Sequence, residues 1–308
     1  MKVGSNLEQV LLAGHFAATG ELGPPKSADA AVIRRKAALL KGYVDAVNIT
    51  DNQTAIVRMS SISVATMLLG LGIEPTIQMT CRDRNRLAIQ ADLLGAWALG
   101  IRDVLCLSGD HQVFGNHATA KNVFDLDSVQ LIQMVRNMGE TGKFQSGDPI
   151  EGEAPKFLVG GAANPYADPF DFRPLRTAKK AKAGAQFIQT QLIYNAPKFG
   201  EYMKRYCDLG LHERVHMMAG VGPIKTLGAA RYMASKVPGM DVPDEIVKRM
   251  ESAPKEKRAE EGIKICVEII EQVRQMPGVA GIHIMAIEWE ETIAEITRRA
   301  GLLPRPVA

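Results

Sequence analysis

The sequence predicts an α/β fold, a closed (β/α)8 TIM barrel, and three observations carry that expectation. Eight short β-rich runs, each followed by an amphipathic stretch, repeat from one end of the 308 residues to the other. No G-x-G-x-x-G follows any of them, which counts against the competing open, doubly wound sheet. The length is ordinary for a barrel built as one domain, so residues 1–308 are read as a single domain.

The strands are expected at 14–21 (GHFAATGE), 46–51 (AVNITD), 75–81 (PTIQMTC), 103–109 (DVLCLSG), 157–164 (FLVGGAAN), 186–193 (QFIQTQLI), 215–222 (VHMMAGVG) and 280–287 (AGIHIMAI). Between them Ile33, Ala37, Leu40 and Val44 recur at helical spacing, as do Leu87, Ala91, Leu94 and Ala98, and Leu131, Met134 or Val135, and Met138. Ser27, Asp83 and Asp127 stand just ahead of those stripes as expected N-caps. Three segments exceed the minimal repeat. Residues 111–125 lengthen the loop after the fourth strand, on the face where barrels carry their ligands. Residues 139–155 lengthen the return to the fifth strand on the opposite face and read as a surface hairpin or subunit contact. Residues 237–260 read as a solvated helical insertion.

Composition narrows the function classes. Thirty-seven Lys and Arg against thirty-four Asp and Glu leave a dispersed charge of +3, too little for a nucleic-acid surface. No apolar run approaches the ~20 residues that span a bilayer. The opening MKVGSNLEQVLLAGHF lacks the pattern of a secretory signal, so a soluble, cytoplasmic protein is expected. Cys81, Cys106, Cys207 and Cys266 form no C-x-x-C and read as free, buried thiols. The stretch His212–His216 spells H-E-x-x-H, but Gly210 precedes it and a strand begins at its end. The two imidazoles then need not converge, and no metal is expected.

In a barrel, chemistry gathers at the C-terminal ends of the strands. The polar residues placed there are Glu21, Thr50 with Asp51, Gln78, Ser108 with Asp110, Asn164, Gln189 with Gln191, and Glu288. Glu21 ends an apolar strand and precedes Gly23-Pro24-Pro25, a stiff turn that holds a carboxyl at the barrel mouth. There it could serve as a general acid or simply cap the loop that follows. Asp110 closes VLCLSGD, where Gly109 lets the backbone approach a ligand and the carboxylate is expected to point into the same mouth. Capping a turn is the alternative for Asp110. Lys179, Lys180 and Lys182 lie on the helix entering the sixth strand, where one could reach a phosphate or all could be solvated.

Taken in order, TGELGPP at 19–25, VNIT at 47–50, QMTCRD at 78–83, LSGD at 107–110, AANPYADP at 162–169, AGAQFIQTQLIYN at 183–195, AGVGPI at 219–224 and GIHIMAI at 281–287 resemble the flavin-dependent methylenetetrahydrofolate reductases. The resemblance implies a barrel that binds flavin at its C-terminal mouth and reduces 5,10-methylenetetrahydrofolate to 5-methyltetrahydrofolate in a ping-pong reaction. It makes Glu21 the acid that opens the five-membered ring and Asp110 the carboxylate that stabilises the resulting cation, which requires the two to hold opposite ionisation states. It assigns the flavin to Thr50, Asp51, Gln78, Ser108, Gly109, Asp110, Phe124, Asn164, Asp168 and Lys180, and the folate to Gln191, Leu227 and Glu288. Some positions depart from the family pattern. Leu227 stands where a bulky aromatic residue is common, Gln78 replaces a usual His, and Ser108 a frequent Arg. Counted back without gaps from Lys180, the Asp that holds the adenosine ribose falls on Arg173, and a shorter segment upstream would place it on Asp171 instead. The cofactor is therefore FAD by resemblance with FMN as the alternative, and NADH is expected to be a poor donor. NAD(P)H or a partner subunit would supply electrons, within an oligomer or hetero-complex. Two other readings stay open: a flavin-free folate-binding methyltransferase barrel, and a non-catalytic folate-binding subunit that docks through 139–155.

Overall fold

A computed structural model, describing residues 2–306, shows eight parallel strands in one closed ring. They are β1 (Ala17–Leu22), β2 (Ala46–Ile49), β3 (Pro75–Thr80), β4 (Asp103–Leu107), β5 (Leu158–Ala163), β6 (Phe187–Leu192), β7 (His216–Val221) and β8 (Val279–Ile284). Each pairs with the next in chain order, and β8 closes on β1 with Thr19 opposite His283. All eight expected runs are strands. Of the span 1–308, residues 1, 307 and 308 lie outside the described residues.

The helices are α1 (Asn6–Leu12), α2 (Ala30–Leu40), α3 (Ser61–Gly70), α4 (Arg86–Ala98), α5 (Ser128–Thr141), α6 (Arg173–Ala183), α7 (Ala196–Asp208), α8 (Leu227–Lys236), α9 (Asp244–Ser252), α10 (Arg258–Arg274) and α11 (Ile293–Arg299). The main core lies between the sheet and the helices, where Ile33, Ala37 and Leu40 of α2 and Leu131, Ile132, Val135 and Met138 of α5 are buried. A second core fills the N-terminal end of the barrel. There Leu7, Val10 and Leu11 of α1 pack on Ala17, Ala46, Leu105, Leu158, Phe187 and Met218. Gly160 makes room for the Phe187 ring, because a Cβ there would lie 2.1 Å from it.

Several local expectations need correction. The stripe read into α4 is its outer face: Ile89, Leu93 and Ala96 are buried, whereas Leu87 is largely exposed. Leu87, Ala91 and Leu94 instead border a groove shared with Phe144. Phe144 belongs to the hairpin that follows α5, closed by a bridge between Lys143 and Pro149 and tied to α4 by the Gln145 amide donating to Gln90 Oε1 at 2.8 Å. Asp29 and Asn85, not Ser27 and Asp83, cap α2 and α4. Asp127 caps α5 in a reciprocal capping box with Gln130. The 237–260 segment is not merely solvated, since Ile246 and Met250 of α9 are buried. Cys81, Cys106 and Cys266 are buried free thiols, while Cys207 is half-buried.

Candidate active site

A cavity of about 370 Å³ opens among the C-terminal ends of the strands. Glu21, Gln78, Ser108, Asn164, Lys180 and Gln191 line it, together with Arg173, Arg176, Gln189 and Met285. Alternation along each strand explains the set: residues two apart face the same side, so Thr19 lies beneath Glu21 on β1 and Gln189 beneath Gln191 on β6. Below the lining, the Asn48 amide of β2 donates to Gln189 Oε1 of β6 at 2.7 Å, spanning strands on opposite sides of the ring.

Glu21 Oε2 lies 3.7 Å from Nε2 of His283, a fully buried ring on β8. The other ring nitrogen, Nδ1, is 2.9 Å from the Thr19 hydroxyl. Glu21 also borders a small cleft on its far side with Lys36, Arg58, Glu288 and Glu290.

The second feature of the cavity is positive. Arg173, Arg176, Thr177 and Lys180 recur at three- and four-residue steps and so share one face of α6. Lys180 is buried, its ammonium donates to the Ala162 carbonyl, and no carboxylate forms an ion pair with it among the described residues. Burial, and then the neighbouring charge of Arg176, pull its amine down to about 8. A buried cation without a counter-charge is costly unless a ligand supplies one. With Ser108 and Ser128 also on the wall, this face suits a phosphate ester.

The remaining expected site residues do not line the cavity. The Asp110 carboxylate is not part of the cavity lining beside Glu21: it is exposed and accepts from the Thr54 amide at 3.2 Å. Gly109 just before it takes a left-handed turn, at φ +88°, and a Cβ on it would crowd Thr80 and Arg82. Asp51 is buried against Thr80 and Arg84, and Thr50 donates to Gln53, so both brace the rim. Phe124 and Asp168 are exposed on loops, and the Asp168 carbonyl accepts from Arg173. Leu227 opens α8 and packs on the core, while Glu288 is exposed beside the small cleft. Asp171 pairs outward with Arg205, leaving Arg173 alone on the cavity wall. His212 lies in a single turn, Leu211–Glu213, and His216 begins β7. No group of three or more His, Cys, Asp or Glu side chains able to hold a metal occurs among the described residues.

Sequence reading missed Arg176, Thr177 and His283. The first two were legible as the positions four and three residues before Lys180 on one helix face. His283 was legible as an inward position, since strand alternation places it beneath Met285.

The sequence matches the methylenetetrahydrofolate reductase family over residues 6–301. A probable methylenetetrahydrofolate reductase (NADPH) of Caenorhabditis elegans is 24% identical over 252 residues, 80% of this chain and 35% of that protein. Methylenetetrahydrofolate reductase 2 of Schizosaccharomyces pombe is 25% identical over 251 residues, 76% of this chain and 36% of that protein. The chain thus spans little more than a third of the length of these relatives. Among solved structures, an uncharacterised Clostridium thermocellum protein that binds two copies of 5-methyl-5,6,7,8-tetrahydrofolic acid superposes with a TM-score of 0.65. It is 16% identical, with 97% of this chain and 99% of that one covered. EDTA monooxygenase from Chelativorans sp. BNC1 superposes at 0.54 with 11% identity, over 94% and 95% of the two chains. At these identities both similarities speak to the barrel fold.

Proposed function

Since the chain belongs to the methylenetetrahydrofolate reductase family, we propose that it reduces 5,10-methylenetetrahydrofolate to 5-methyltetrahydrofolate with a bound flavin nucleotide. One observation carries the reading: a single cavity holds an acid on β1 and, beside β5 four strands around the ring, a cationic helix face with no counter-ion among the described residues. Lys180, Arg176 and Arg173 would hold the flavin phosphate, which both FAD and FMN carry, and Gln78 and Ser108 would flank the ring system. When bound, the flavin supplies the hydride for the methylene carbon.

The chain's own residues do the rest. Glu21 protonates the amine nitrogen as its bond to the methylene carbon breaks, and the carboxylate left behind balances the positive charge on the remaining iminium. Gln189 and Gln191 present amides to the polar edge of the pterin. Asp110 acts from the rim, through space and not by contact. Residues 1–308 act as one barrel domain, and NAD(P)H or a partner subunit delivers the electrons. The free thiols suit the reducing cytoplasm, where we place the enzyme. Among the described residues no helix is long and apolar enough to cross a membrane.

The visible spectrum of the pure protein, with mass identification of the released chromophore, tests the cofactor. Anaerobic reoxidation of the reduced protein by 5,10-methylenetetrahydrofolate tests the substrate. A protein that cannot be loaded with any flavin overturns the first part, and a reduced flavin that the folate leaves unchanged overturns the second.

A further inference from the structure

We propose that Asn48 is a positioning residue that holds the Gln189 amide with its NH2 group toward the cavity. The amides of β6 then offer a ligand donors alone, and this wall selects the carbonyl edge of a pterin over an amino edge. The pterin rests on the reading above; the polarity of the wall does not. An amide side chain accepts at its oxygen and donates at its nitrogen, and half a turn exchanges the two. On β6 the protein's own donors decide which end is left over. The Leu192 backbone amide donates to Gln191 Oε1 at 2.9 Å, and an N–H is met only by the oxygen, so the Gln191 NH2 remains for the cavity. Asn164, just past β5, is set the same way, its Oδ1 accepting from the Tyr166 amide at 3.3 Å. Thr190, between the two glutamines, is fully engaged: its hydroxyl accepts from the Gly220 amide and donates to the Gln191 carbonyl, each at 2.8 Å.

Gln189 is set from across the barrel. Its Oε1 accepts from the Asn48 amide at 2.7 Å, and both side chains are buried. Turning both amides over would keep that bond and present the Gln189 oxygen to the cavity instead. It would also put the two hydrogens of the Asn48 NH2 where one Oδ1 now stands buried without a partner among the described residues. A buried N–H left unpaired is the costlier deficit, and the exchange would create two of them in place of one carbonyl oxygen. Asn48 therefore holds Gln189 in the donor-inward orientation.

Among the described residues that line the cavity, Glu21 is the only carboxylate, so the β5–β6 side carries NH2 groups with no strong acceptor between them. A 4-oxopteridine has a carbonyl at C4, which accepts, and an amino group at C2, which donates. Against this wall the carbonyl side forms hydrogen bonds, whereas an amino side sets donors against donors and leaves both unpaired. The C4 side of the pterin thus faces β6. A 4-aminopteridine, which has no carbonyl there, is rejected.

Two measurements test this. Nitrogen NMR of the ligand-free protein, labelled at asparagine and glutamine, should show an Asn48 NH2 protected from exchange and a Gln189 NH2 open to solvent. The two signals are identified by their loss in Asn48→Leu and Gln189→Met, and the reverse pattern overturns the proposal. Calorimetry on the flavin-loaded protein then compares tetrahydrofolate with its 4-amino analogue. The wild type is expected to favour the 4-oxo ligand about ten- to a hundredfold. Asn48→Leu, which frees Gln189 to turn, should shrink that ratio about three- to tenfold, and shrink it no further in the Gln189→Met background. Should Asn48→Leu fail to fold, Gln189→Met alone must shrink the ratio. A merely structural role would weaken both ligands alike and leave the ratio intact, which sinks the proposal. If neither ligand binds while the NMR pattern is as expected, the folate reading is overturned and the donor-inward amide stands.

Discussion

Lys180 is a residue whose burial is unfavourable until a ligand arrives. Its amine sits at about 8 in the folded protein against an ordinary 10.5. Between those values the unfolded chain binds more protons than the folded one, so ligand-free stability rises with pH across that window; below it the buried charge is a standing cost. The same amine must be charged to hold a phosphate. FMN affinity, followed by quenching of flavin fluorescence, is therefore expected to fall as pH rises from about 7 to 9, while riboflavin affinity stays flat. Lys180→Met should weaken FMN about ten- to a hundredfold, the loss typical of a hydrogen bond to a charged group, yet raise the ligand-free melting temperature at neutral pH. Lys180 and Glu21 were legible in the sequence because a strand end and a helix face fix where side chains point. Asp110 was not, because its direction depends on the left-handed turn at Gly109, which no periodicity reports.

Among the elements, strands were read more reliably than helix faces. A strand has two faces, and burial selects one; α4 carries two apolar stripes, and the outer one, Leu87, Ala91 and Leu94, borders a groove shared with the hairpin at Phe144. The plug α1 went unread, since its seven residues give less than two full periods of signal. Its packing under the barrel yields two expectations. Gly160→Ala forces a methyl into the Phe187 ring and should cost about 1–3 kcal/mol, seen as a lower urea midpoint that Phe187→Leu partly restores. Asp103, on β4 near Glu74 and Glu8, is held well above the ordinary carboxyl range by burial first and then by the charge of Glu74. Its contribution is present at low pH and lost as pH rises through the raised value. Asp103→Asn should therefore raise the melting temperature at pH 8, by about 2–4 °C for each kcal/mol recovered, and have less effect at pH 5.

At the scale of the whole molecule, the ring was predictable from eight repeats, but its far side from the donor's point of view was not. Leu227 begins α8 and packs inward, so no large side chain from that helix covers the cavity, whose lining comes from elsewhere. NADH alone is accordingly expected to bleach the flavin slowly in a stopped-flow trace, and rapid bleaching would restore it as the direct donor. The Glu21–His283 pair straddles the junction where the first strand meets the last. Glu21 and His283 stand 262 positions apart in the sequence and meet only across that junction, so a chain without β8 carries an acid with no imidazole beside it. The cavity floor is therefore assembled by contacts of long sequence separation, and it is complete only once the ring has closed.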